Sequence, residues 1–258
     1  MSMNSNPFDL SVGSYKSVRK EACTLAVLPW GATEPHNYHL PYLTDCILAH
    51  CLAVDAAREA FERSGARCMV LPPVWLGQQN PGQWELPFCI HTRYETQKAI
   101  LSDILFSLQK QGLNKLIIVN GHGGNSFKPM VRDLAAECPG FLIAVSNYFE
   151  LEKEAQGRLF EVDDNHAGEM ETSLMLYYRP DLVDMACAGD GRSIPFALSS
   201  LNQQTAWIPR HWQKVSLDTG IGDPRKATRA KGQAFRDIVV ARLSVLFAEI
   251  AKGDPYSK

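Results

Sequence analysis

Thr24-Leu-Ala-Val-Leu-Pro29 is the stretch on which the fold turns. A short apolar run bounded by turn-forming residues reads as a buried strand. It leads into Glu34-Pro35-His36, and Asp45 follows at the start of a helical pattern. Glu34 and His36 are two apart, so an extended backbone points both side chains the same way. An imidazole with two carboxylates at a strand end is a ligand set for zinc, manganese or iron. Metal-assisted hydrolysis is the chemistry such a set points to.

Further along the chain, three more apolar runs read as buried strands: Cys68–Leu71, Lys115–Val119 and Phe141–Val145. Helical periodicity lies between them, over Asp45–Arg63 with Thr44 as N-cap, Tyr94–Gln111 and Ser126–Cys138. Glu169–Tyr178 reads as a further helix stopped at Arg179-Pro180, residues 181–222 as irregular, and Arg225–Lys252 as a long closing helix. Strands alternating with helices predict an α/β fold, a three-layer α/β/α sandwich around a mostly parallel sheet. No repeat or linker divides the chain, so residues 1–258 are expected to form a single domain. The closing helix is apolar enough either to pack on the sheet or to face another subunit.

Composition narrows the function classes. The formal net charge is −2, with no basic stripe to bind nucleic acid. The seven cysteines, Cys23, Cys46, Cys51, Cys68, Cys89, Cys138 and Cys187, form no CxxC pair and mostly sit in apolar surroundings. They fit a reducing, cytoplasmic setting. No apolar run approaches the roughly 18 residues of a membrane span, and no secretory leader is expected.

Two more clusters carry chemistry. Asn120-Gly121-His122-Gly123-Gly124-Asn125 follows the third strand, where open α/β sheets bind ligands. A glycine-rich loop there could cradle phosphate, but Ser126 breaks the dinucleotide fingerprint and no Gly-Lys-Ser/Thr follows. The glycines instead let the chain turn and carry His122 into a pocket. The other cluster is Asp163-Asp164-Asn165-His166-Ala167-Gly168-Glu169-Met170-Glu171. Taken alone, Glu169 and Glu171 could merely complement a helix dipole, and His166 could be a capping histidine. His50, His91 and His211 lack comparable acidic neighbours and read as structural. His39, beside the first cluster, is read as orienting a ligand through its other ring nitrogen.

These phrases together resemble the creatininase (creatinine amidohydrolase) family. Leu28–Asp45 is similar to its first motif, Asn120–Asn125 to its second, and His166-Ala-Gly-Glu-Met-Glu-Thr-Ser173 to its third. Gly222-Asp-Pro-Arg-Lys-Ala-Thr228 with Lys231-Gly232 resembles its C-terminal phrase. The resemblance implies two divalent metals, Zn²⁺ or Mn²⁺ and sometimes Fe²⁺. Glu34 and His122 would bind one and His36 the other, with Asp45 bridging. Creatininase itself has a carboxylate where this chain has Gly124, so Glu171 becomes the replacement ligand. His166 matches the catalytic histidine, with Glu169 as a weaker candidate for proton transfer. A homo-oligomer, often a hexamer, is also implied.

One stretch departs from the family pattern. Gly77-Gln-Gln-Asn-Pro-Gly-Gln-Trp-Glu-Leu-Pro-Phe-Cys89 lacks the Pro-Gly-Thr element that many members carry. Trp84, Trp207 and Trp212 could stack on a substrate or simply pack. The expected activity is hydrolysis of an amide C–N bond in a small linear or cyclic substrate such as creatinine. The alternatives are cleavage of a C–C bond in a cyclic polyol ketone, which Gln78, Gln79, Asn80 and Gln83 would suit, or a non-catalytic metal-binding scaffold.

Overall fold

The computed structural model describes residues 6–161 and 165–256. Asp163 and Asp164 of the third cluster lie outside the described residues. Four strands, β1 (Leu25–Trp30), β2 (Cys68–Val70), β3 (Lys115–Asn120) and β4 (Leu142–Asn147), pair in parallel in the order β2-β1-β3-β4. Each begins or ends within two residues of the reading from sequence. A parallel sheet covered on both faces explains why β1 is apolar and buried at every position rather than at alternate ones.

The two faces divide by parity. Leu25, Val27, Ile117 and Val119 pack against helices α1 (Thr44–Ser64), α5 (Glu169–Tyr178) and α6 (Arg229–Lys252). Ala26, Leu28, Trp30, Leu116 and Ile118 pack against α2 (Tyr94–Lys110) and α3 (Phe127–Glu137). A shorter helix, α4 (Lys153–Leu159), follows β4. The result is the three-layer α/β/α sandwich. No described helix is long and apolar enough to cross a membrane.

Two local readings change, and one of two alternatives is favoured. Leu43, not Thr44, stands at the N-cap of α1, because the Thr44 hydroxyl donates to Pro41 O instead of accepting a helix N–H. The closing helix starts at Arg229, capped by Thr228 Oγ1 accepting from Lys231 N; Pro224–Lys226 forms a separate 3₁₀ turn. The apolar positions of α6 are mostly used within the protomer: Phe235, Val239, Val240, Leu243 and Phe247 are buried in the core, leaving Val245 exposed.

The C-terminal phrase serves this packing. A Cβ at Gly232 would lie 1.9 Å from Ser173 O, so only glycine lets α6 approach α5 this closely. The Lys231 ammonium, one residue earlier, pairs with the Glu169 carboxylate at the start of α5.

Candidate metal centre

Four chain segments at the carboxyl end of the sheet converge on one point, the position where open α/β sheets bind ligands. The segment after β1 brings Glu34 and His36. The first turn of α1 supplies Asp45, the loop after β3 supplies His122, and the start of α5 supplies His166 and Glu171. All six are at least nine-tenths buried.

Besides a group of Glu34, His36 and His166, their ligand atoms sort into two overlapping sets. Glu34, Asp45 and His122 offer atoms within 4.8 Å of one another, and so do His36, Asp45 and Glu171. Asp45 belongs to both, one oxygen to each side. Its Oδ1 lies 2.9 Å from His36 Nε2 and its Oδ2 3.2 Å from His122 Nδ1. Glu34 Oε1 is 2.8 Å from His122 Nδ1. A carboxylate placed between two sets is the geometry of a bridge between two ions.

The far ring nitrogens show what the near ones offer. His36 Nδ1 lies 3.0 Å from Glu34 O, and His122 Nε2 lies 2.6 Å from Gln78 O. Each carbonyl can only accept, so each histidine donates outward. In the neutral imidazole a lone pair then faces the carboxylates. Two lone pairs against carboxylate oxygens require a cation or a proton between them. Asp45 Oδ2 is a buried oxygen with no hydrogen-bond partner, which also fits an ion. This donor set, nitrogen and carboxylate oxygen, suits zinc, manganese or iron.

The electrostatics agree. Burial pulls the His36 imidazole down, but Asp45, Glu171 and Glu34 outweigh it and lift it to about 10. Burial likewise opposes charge on His122, while Glu34 and Asp45 raise it well above the ordinary range. Burial pushes Asp45 up, and His36 and His122 pull it well below the usual carboxylate range. The metal-free centre therefore holds protons at neutral pH where ions would sit. Loading it should release protons, and metal affinity should rise with pH. Calorimetry of metal binding in buffers of different ionisation enthalpy checks this; heats independent of the buffer would contradict it.

Surrounding groups fix the ligands. Gln83 Nε2 donates to Glu34 Oε2 at 2.7 Å, and Gln83 Oε1 accepts from Asn80 N at 2.8 Å. Asn120 Oδ1 accepts from His122 N, and Asn125 ties the same loop to Gln78 N and Gly31 O. A Cβ at Gly124 would lie 2.2 Å from Gln78 O, the carbonyl that orients His122. A carboxylate side chain at that position is therefore incompatible with this Gln78 contact. Glu171 stands in the other ligand set, and its Oε2 accepts from Ala167 N at 2.6 Å. Glu171 thus ties down the backbone before its helix and belongs to the centre with the same carboxylate. Gln83→Leu leaves Glu34 Oε2 without its donor and should lower metal affinity roughly 10–100-fold, measured by competition with a chelating dye. Unchanged affinity would remove Gln83 from the supporting set.

His166 sits beside this core. Its Nε2 donates to Pro35 O at 2.9 Å, leaving Nδ1 3.7 Å from Glu34 Oε1. Its ring lies 4.3 Å from that of His36 and stands edge-on to Trp212 at 5.2 Å. Its backbone pairs with Ile221 in both directions, which ties it to the segment preceding the C-terminal phrase. Burial pushes its imidazole down to about 4, with help from His36 and against Glu34.

Other expected residues fall elsewhere. The Glu169 carboxylate is committed to Lys231 and to Glu161 N, and it does not line the cavity above the centre. His39 Nε2 pairs with Thr172 Oγ1 at 2.8 Å rather than with a ligand side chain. His50 pairs with Asp9, and His91, read as structural, lines the cavity while accepting from Gln79 N. The cavity measures about 540 Å³, large enough for a small molecule. Gln78, Gln79, Asn80, Gln83, Trp207 and Trp212 line it, and Trp84 does not. Lys153, Gln156 and Arg210 also line it. No spacing in the sequence marks these three, since folding brings α4, with Lys153 and Gln156, and the distant segment of Arg210 to one cavity.

The chain belongs to the creatininase family of hydrolases: the family model described as creatinine amidohydrolase matches residues 10–247. A Bacteroides fragilis protein of known crystal structure, provisionally named a creatinine amidohydrolase, is 56% identical with a TM-score of 0.96, covering 99% of this chain and 100% of that one. The creatinine amidohydrolase of Pseudomonas putida is 32% identical over 84% of this chain and 86% of its own length. A mycofactocin precursor peptide peptidase of Mycolicibacterium smegmatis is 28% identical over 89% and 82%.

Proposed function

We propose that this chain is a metal-dependent amidohydrolase that cleaves an amide C–N bond of a small substrate. The observation that carries the reading is Asp45, shared between two ligand sets whose histidine lone pairs both face inward. Glu34, Asp45 and His122 would hold one divalent ion, and His36, Asp45 and Glu171 the other. When bound, Zn²⁺ or Mn²⁺, or Fe²⁺, would polarise a carbonyl and lower the pKa of water. The chain's own residues do the rest. Gln83 and Gln78 O hold Glu34 and His122 in place. His166 presents Nδ1 to the site and moves a proton between the attacking water and the leaving nitrogen. Its neutral ring can accept that proton at ordinary pH.

A second reading has its own observation. Gln79 is 6% exposed, lines the cavity, and leaves both amide atoms without a partner. An unsatisfied buried amide suits a hydroxyl-rich substrate such as a cyclic polyol ketone. A panel of cyclic amides, formamides, short peptides and inosose-type ketones, run with and without added Zn²⁺ or Mn²⁺, separates the readings. Metal-dependent release of amine is the expected result. Turnover of ketones alone would favour the second reading, and metal retention without any turnover would favour a scaffold.

The same reading expects a homo-oligomer, a hexamer by family resemblance. Phe88, Trp207 and Leu217 are each more than three-quarters exposed, which supports a covered surface in the assembly. Light scattering at micromolar concentration should report a multiple of the chain mass; a monomer would contradict it.

A further inference from the structure

Arg210 is a half-buried guanidinium with an incomplete set of partners. It lines the cavity, and one of its amino groups donates to Asn165 Oδ1 at 2.6 Å. Its Cζ lies 5.0 Å from the centre of the Trp212 ring. Trp212 in turn stands against His166, so the cation is two ring contacts from the imidazole that faces the metal centre. Arg225 and Arg236 fork onto Asp223 and Asp55. Arg210 meets no carboxylate among the described residues.

Lys153, which also lines the cavity, likewise meets no acid among the described residues. Among the described residues, Lys153 Nζ donates to Phe149 O and Gln156 Oε1 only. Glu150, on the same wall, accepts from Asn147 Nδ2. An arginine keeps its charge, and burying it without an anion is costly unless a ligand completes it. Its planar fork matches a carboxylate or phosphate.

Resting on the amidohydrolase reading, we propose that the substrate carries an anionic group, a carboxylate or a phosphate, that docks on Arg210 while its amide reaches the metal centre. Lys153, on α4, adds a second positive charge to the cavity lining. Arg210 is then a specificity-determining residue. A charge-assisted contact of this kind corresponds to roughly 10–100-fold in affinity.

The test uses one formamide with three tails: N-formyl-β-alanine, N-formyl-β-alaninamide and N-formyl-2-aminoethyl phosphate. Binding to the metal-loaded protein is measured by calorimetry, beside formate release. The anionic probes should bind roughly 10–100-fold more tightly than the neutral amide. Arg210→Gln should erase that preference by weakening the anionic probes alone, and Arg210→Lys should restore part of it. The better anionic tail distinguishes a carboxylate from a phosphate substrate. Equal or undetectable binding of all three overturns the proposal, as does a preference that survives in Arg210→Gln, which would place the anion on the metals. Formate release without preference removes the anion site and leaves the amidohydrolase reading standing. Preference without formate release does the reverse.

Discussion

Asp45→Asn should yield a folded protein that holds neither ion firmly. Asparagine keeps the volume at a position where the side chain is fully enclosed, but it replaces the bridging charge with a neutral amide. Each of the two ligand sets then loses its shared carboxylate. The loss of one bridging ligand is worth several kcal/mol, so hydrolysis should fall by at least roughly 10³-fold. Metal content by plasma mass spectrometry should drop well below two ions per chain, while circular dichroism keeps the wild-type helix signal. A variant that retains both ions would show that Asp45 does not bridge them.

His166→Ala should do the opposite, keeping the ions and losing the rate. The imidazole faces the centre through Nδ1, yet both ligand sets are complete without it. A general acid–base group contributes roughly 10²–10⁴-fold, so turnover should fall by that factor with metal content unchanged. Glu34, His36 and His166 also lie close enough to share an ion. If the variant purified with half its metal missing, His166 would be a ligand. If it kept full turnover, the proton would have to move through another group, and Glu169 could serve only by breaking its pair with Lys231.

Much of this arrangement was legible in the sequence for identifiable reasons. A parallel sheet buried on both faces leaves continuous apolar runs, and all four strands were marked by them. Glu34, His36 and Asp45 are near neighbours on one strand end and the helix after it, so local geometry already groups them. The residues that support the centre were not legible in this way. Gln83 reaches Glu34 across 49 positions, and Gln78 O reaches His122 across 44. Those contacts depend on how the loop after β2 folds over the strand ends, which no local pattern records. The pairing of Glu169 was not legible for a similar reason: its partner Lys231 lies 62 residues away, on a helix whose approach depends on Gly232.

We propose a two-ion centre bridged by Asp45. It is tested most directly by a crystal structure of protein purified without chelator, with anomalous data collected across the metal absorption edges. Two anomalous peaks about 3.5–4 Å apart are expected. One should lie among Glu34, Asp45 and His122, and the other among His36, Asp45 and Glu171. A single peak, or two peaks with Asp45 bound to neither, would contradict it.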